Sequence, residues 1–186
     1  MSNLAALLAE LRAAEDRAAK LVAGLSDNQT NWRPESGTSW SVRQCLDHLA
    51  RTNRAYAANI HDAVDSCPKK QWTPTVDISP GWAGSWFARQ LEPPVRRKLK
   101  TSAILTPPET GDIHEAIRAF VESHELVRAI IASAAHVDLN RLRSRNPFVS
   151  LLRFSVGTGL LIINAHDSRH LWQAERVKEA ASFPEF

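Results

Sequence analysis

Cysteine is scarce in this chain: two residues, Cys45 and Cys67, in 186. Two thiols cannot build a disulfide framework, and the lack of a Cys-x-x-Cys pair removes the common thiolate metal and dithiol redox motifs. An excess of charge of one sign is missing too. The formal net charge is +3 and the isoelectric point is near 9.1, far from what a dedicated nucleic-acid binder needs. The short run Arg96, Arg97, Lys98 and Lys100 reads as a solvated face, so no nucleic-acid partner is expected. Long apolar runs are absent: the longest strongly apolar stretch, Leu160 to Ile163, falls well short of a membrane span, and no membrane partner is expected. The start, Met1-Ser2-Asn3-Leu4 leading to Glu10, Arg12, Glu15 and Asp16, shows no basic run followed by an apolar block. A cytoplasmic location is the expectation by elimination. No internal repeat, low-complexity tract or strand pattern stands out.

What is present is helical periodicity. Apolar residues make up 44% and charged residues 23%, as in ordinary globular chains, and the length suits a single domain over 1–186. Residues 3–25 carry Leu4, Leu7, Leu8, Leu11, Ala14, Ala18, Leu21, Val22 and Leu25 at three- and four-residue spacing, the mark of an amphipathic helix. A second helix is expected from a Ser41 cap to about Val64. Gln44 completes a capping box there, and Trp40 with Cys45 forms a hydrophobic staple. Ser26 to Gln29 is a candidate short capped turn. Residues 66–110 hold Pro68, Pro74, Pro80, Pro93, Pro94, Pro107 and Pro108, which exclude one long helix. A short helix over about Trp82 to Leu91 fits inside this detour, with Trp82, Trp86 and Phe87 read as its anchor on the rest of the molecule. A third long helix covers about 112–135, and a fourth about 158–180 with Thr158 as cap. Residues 138–157 read as irregular. The fold expected is all-α: a four-helix bundle whose 66–110 detour is a crossover that lets helices two and three run parallel.

Seven histidines are present, and His166 and His170 stand four apart. Residues at that spacing share a helix face, so both imidazoles can reach one ion. The glutamate of an HExxH protease motif is missing, because Asp167 follows His166. The pair lies on one stripe with Gly159, Ile163, Gln173 and Val177, where the helix should face its neighbours. Buried polar groups need partners, and a metal satisfies two at once. His48, seven residues past the Ser41 cap, is the third candidate. Its helical angle puts it at the flank of the apolar arc, as a site with an open position would want.

Other residues are weighed against plainer readings. Asp47, Asp167 and Gln173 are candidates to orient the imidazoles, as metal-ligating histidines usually require, against the reading of each as a surface polar group. Cys45 can line the site or serve as a small buried hydrophobe. His124, on the apolar stripe of the third helix, is a candidate pocket residue or a hydrogen-bonded core histidine. His61, His114 and His136 read as surface groups.

Two segments together resemble a known family. Trp32-Arg33-Pro34 followed by Trp40-Ser41-Val42-Arg43-Gln44-Cys45-Leu46-Asp47-His48-Leu49 is similar to the second-helix motif of the DinB/YfiT-like superfamily, and His166-Asp167-Ser168-Arg169-His170-Leu171-Trp172-Gln173 to its last-helix motif. The resemblance implies a four-helix bundle that binds nickel or zinc through three histidines, here His48, His166 and His170. It also implies kinship with thiol S-transferases and a thiol-dependent isomerase. From these follows the functional expectation: a metal-dependent enzyme, transferase-like or hydrolase-like, that activates a low-molecular-weight thiol or water against a small electrophilic substrate. The alternative carried beside it is a non-catalytic metal- or small-molecule-binding stress-response protein. Homodimers are frequent in such families, and a homodimer is carried as an expectation.

Overall fold

Short polar side chains set where the helices of this chain begin. In a computed structural model, which describes residues 2–34, 39–68, 73, 75–94, 105–149 and 151–185 (backbone alone at 2 and 83), the first strand β1 (Ser2–Asn3) runs straight into α1 (Leu4–Val22). Asn3 caps α1 by accepting from the Ala6 amide. Gly24, at φ 75°, takes the left-handed conformation that lets the chain turn away after the helix. Ser26 and Gln29 form a capping box over α2 (Asp27–Asn31). Ser41 and Gln44 do the same for α3 (Val42–Asp65), as the sequence predicts.

The detour contains β2 (Asp77–Ile78) and α4 (Gly81–Leu91). Beyond it lie α5 (Ile113–Ser133), capped by Asp112, a 3-10 turn over Ala134–His136, strands β3 (Arg143–Arg145) and β4 (Arg153–Ser155), and α6 (Val156–Lys178). The strands make two small antiparallel ribbons, β1 with β2 and β3 with β4. At two or three residues each they are too short to write an alternating pattern into the sequence. Residues 138–157 are thus partly a ribbon. It changes the last helix start: Ser155, not Thr158, is the cap. The Val156 and Gly157 amides bind the Leu142 and Leu139 carbonyls at 2.8 Å, and the Ser155 hydroxyl accepts from the Thr158 amide.

Partner contacts fix the directions of the long helices. Arg43 and Gln44 at the start of α3 donate to the Pro108 carbonyl just before α5, and Asn53 reaches Ser123 farther along, so α3 and α5 run parallel. His48 meets His166, while Ile60 packs over Gly159, so α3 and α6 are antiparallel. Asn164 donates to the Leu7 carbonyl, and Lys178 to that of Leu21, so α1 and α6 are parallel. The result is an all-α four-helix bundle with a long crossover between α3 and α5, as expected.

Leu7, Leu11, Leu46, Leu49, Ile60, Phe120, Leu160, Ile163 and Leu171 are at most 1% exposed. Each contributes about 1.5–3 kcal/mol by leaving water. Gly159 matters to the site: a Cβ there would come within 3.1 Å of Ile60 Cδ1, so its absence lets α6 lie close against α3.

The crossover is anchored differently from the sequence expectation. Trp82 and Trp86 are 84% and 56% exposed, so they are not the anchor. Phe87 packs on Phe154 with ring centroids 5.5 Å apart, and Ala88 and Leu91 are buried. The basic run Arg96, Arg97, Lys98 and Lys100 lies outside the described residues.

Candidate metal centre

His48 sits two turns into α3, and His166 and His170 sit on consecutive turns of α6. The antiparallel packing of these helices brings the three imidazoles together. His48 Nε2 lies 3.4 Å from His166 Nε2. One nitrogen from each ring lies within 4.8 Å of the other two. Tetrahedral ligation at ~2.0–2.1 Å separates ligand nitrogens by about 3.3–3.4 Å. Among the described residues this is the one cluster able to hold an ion in this way.

Hydrogen bonds choose the tautomers. His48 Nδ1 is 3.0 Å from the Leu105 carbonyl. A carbonyl only accepts, so Nδ1 carries the proton and Nε2 keeps its lone pair. His170 Nδ1 likewise donates to Gln173 Oε1 at 2.9 Å. His166 has no such support: its Nδ1 is buried without a partner among the described residues.

Burial keeps all three rings neutral. It lowers the His48 pKa despite the Leu105 hydrogen bond, and pushes His170 down to about 3, with proximity to His48 and Arg169 acting the same way. His166 is held well below its ordinary value by burial, then by its two neighbouring histidines. Neutral imidazoles are the form that ligates. A set of three neutral nitrogen donors suits zinc, nickel or copper better than magnesium or calcium.

His48 lies deeper than its helical angle predicts, at 3% exposure. The Leu105 segment covers it from the crossover, and the Trp40 ring lies 4.6 Å from it. Trp40 also stacks on His170, with centroids 5.5 Å apart and planes 30° apart. The indole is therefore a wall of the site, where the sequence showed only a staple. The Leu105 carbonyl left no signal at all, since every residue carries one. His166 is the least buried of the three residues, although its Nδ1 is covered.

The other candidates divide. Gln173 accepts from the His170 ring at 2.9 Å. Asp47 does not: it pairs with Arg51 at 2.9 Å, one turn on. Asp167 points away from the cluster, accepting from Asn53 Nδ2 at 2.9 Å and bonding His124 Nε2 at 3.0 Å. His124 is fully buried and also bonds Glu15 at 2.9 Å, so it belongs to a core network rather than to the three-histidine cluster. Cys45 is packed among Leu21, Val42, Ala174 and Val177, and burial pushes its thiol pKa up, which leaves it protonated and unreactive. His61 and His114 are exposed, and His136 is partly buried in the 3-10 turn.

Because Gln173 holds the His170 tautomer, Gln173→Ala is expected to weaken Zn2+ affinity about 10–100-fold with the melting temperature little changed. Chelator competition reads the first quantity and thermal denaturation the second.

The YuaE protein of Bacillus subtilis (strain 168), described as uncharacterized, is 28% identical over 162 residues, covering 84% of this chain and 87% of YuaE. No solved structure matches the chain. The family model of the DinB superfamily matches residues 10–174, which contain all three histidines and both helices that carry them. This chain belongs to the DinB superfamily.

Proposed function

We propose that this protein binds one divalent metal ion, nickel or zinc, through His48, His166 and His170, and that it is a metal-dependent enzyme acting on a small electrophilic substrate, thiol transferase-like or hydrolase-like. The observation that carries the reading is the meeting of three imidazoles from two helices far apart in sequence, two of them with the proton held on Nδ1 so that Nε2 keeps its lone pair. Three protein ligands leave a position free, the pattern of catalytic rather than closed structural sites. A divalent ion held there lowers the pKa of a thiol or water bound to it, supplying a nucleophile near neutral pH.

The chain's own residues do the rest. The Leu105 carbonyl and Gln173 hold ring orientation. Trp40 excludes water from one side. His166, the least buried of the three residues, marks the side from which a low-molecular-weight thiol and its partner would approach. Among the described residues no helix is long and apolar enough to cross a membrane. A cytoplasmic setting, which keeps such thiols reduced, suits the two free cysteines.

The test is metal removal and return. One ion per chain is expected, and the metal-free protein should keep its melting temperature while losing thiol consumption against an electrophile such as monobromobimane. A fall of more than about 10 °C on metal removal, with no thiol consumed by the loaded protein, would instead assign the ion to holding α3 against α6 in a non-catalytic binding protein.

A further inference from the structure

We propose that the Thr52 hydroxyl is the hydrogen-bond partner of the oxygen or sulfur ligand that a small molecule presents beside the three imidazoles. This role rests on the metal reading above and names a residue that the sequence did not single out.

Thr52 lies one turn after His48 on the same face of α3 and is 2% exposed. Its Oγ1 is 3.5 Å from His48 Nε2, the nitrogen that faces His166. That distance is at the outer edge of hydrogen bonding. Hydroxyls on helices commonly turn back to a carbonyl three or four residues earlier. Several here do so: Thr30 to Asp27, Ser66 to Asp62, Ser123 to Phe120 and Ser133 to Ile130. Thr52 does not, and His48 Nε2 is the one hydrogen-bond partner of its hydroxyl among the described residues.

The Leu105 carbonyl holds the His48 proton on Nδ1, so Nε2 offers only a lone pair. Once that lone pair is committed to an ion, the buried hydroxyl loses its partner. A buried hydroxyl without a partner is costly. The group that fits is whatever enters beside the imidazoles, within reach of the same nitrogen. A hydroxyl that donates to the anionic form of that group favours its deprotonation. Thr52 is thus a positioning residue, tuning the ligand's acidity while the histidines hold the ion.

The test uses the full chain loaded with Co2+, whose visible spectrum reports the fourth ligand. Thr52→Val keeps shape and removes the hydroxyl, and Thr52→Ser restores it. Co2+ affinity of Thr52→Val is expected within about threefold of wild type. The midpoint of the pH-dependent spectral change should rise by about one unit, and 2-mercaptoethanol should bind about tenfold more weakly, the size of one lost hydrogen bond. Thr52→Ser should recover both. Wild type and Thr52→Val loading equally and titrating alike would overturn this role alone. A tenfold or greater loss of Co2+ in Thr52→Val would overturn it as well, because the threonine would then serve His48 itself. Wild type taking up no Co2+ would remove the three-histidine reading and this role with it.

Discussion

Replacing His170 by alanine is expected to lower Zn2+ affinity at least about a hundredfold, more than loss of a supporting hydrogen bond does. The reason is geometric. Each ring brings one neutral nitrogen to a common point, with no separation above 4.8 Å, and the charge of a divalent ion in a site 3–7% exposed at His48 and His170 must be met by those nitrogens. Two imidazoles and solvent make a far weaker site. His166→Ala and His48→Ala should behave alike, despite lying on different helices. Metal content after equilibration with a competing chelator measures it. Equal content in wild type and the three variants would end the assignment. Stability separates loss of ligation from loss of fold: in the metal-free state His166→Ala should melt no lower than wild type, since the imidazole removed carries a buried nitrogen with no hydrogen-bond partner.

Asp167→Ala is expected to have the largest effect on stability, about 3–5 kcal/mol, or a fall in melting temperature of about 10 °C. Asp167 is 1% exposed and His124 fully buried. Asp167 accepts from Asn53 and bonds His124 Nε2, whose other nitrogen bonds Glu15, itself held by Arg128. Both ring nitrogens of His124 thus face carboxylates, which calls for the doubly protonated ring. Removing Asp167 leaves a buried imidazolium short of one counter-charge and takes away the nearer of the two acceptors of the Asn53 amide. Thermal denaturation of the metal-free protein checks this, and a shift under about 2 °C would mean the network contributes little.

The same network sets a pH dependence. Burial opposes charge on His124, but the hydrogen bond and charge of Asp167, with the charge of Glu15, outweigh it and raise its pKa above the ordinary 6.5. A raised folded-state value means the contribution is complete below pH 6.5 and is lost as pH climbs through that value. The gap in melting temperature between wild type and Asp167→Ala should therefore narrow from pH 6 to pH 9. A gap that widens over this range would contradict a charged His124.

Much of this was legible in the residues. Three- and four-residue apolar spacing marked the long helices, because a helix that packs on one side writes its period into the chain. The capping box at Ser41 and Gln44 marked where α3 starts. Prolines in the detour predicted the crossover that lets α3 and α5 run parallel, and four-residue spacing put His166 and His170 on one face. The cap of α6 lies three residues before the expected Thr158, since a three-residue ribbon strand delivers the chain to Ser155.

The sequence alone determined which side chains can meet, because periodicity assigns each an angle around its own helix axis. Tertiary structure alone decided how deep they lie and what lies against them. His48 is buried because Leu105 and Trp40 cover it. Asp167 serves His124 rather than His166 or His170, because the ring of a different helix waits on that side. Angle is a local property of one helix; depth and partner identity belong to its neighbours, and a backbone carbonyl such as that of Leu105 has no residue type to announce it.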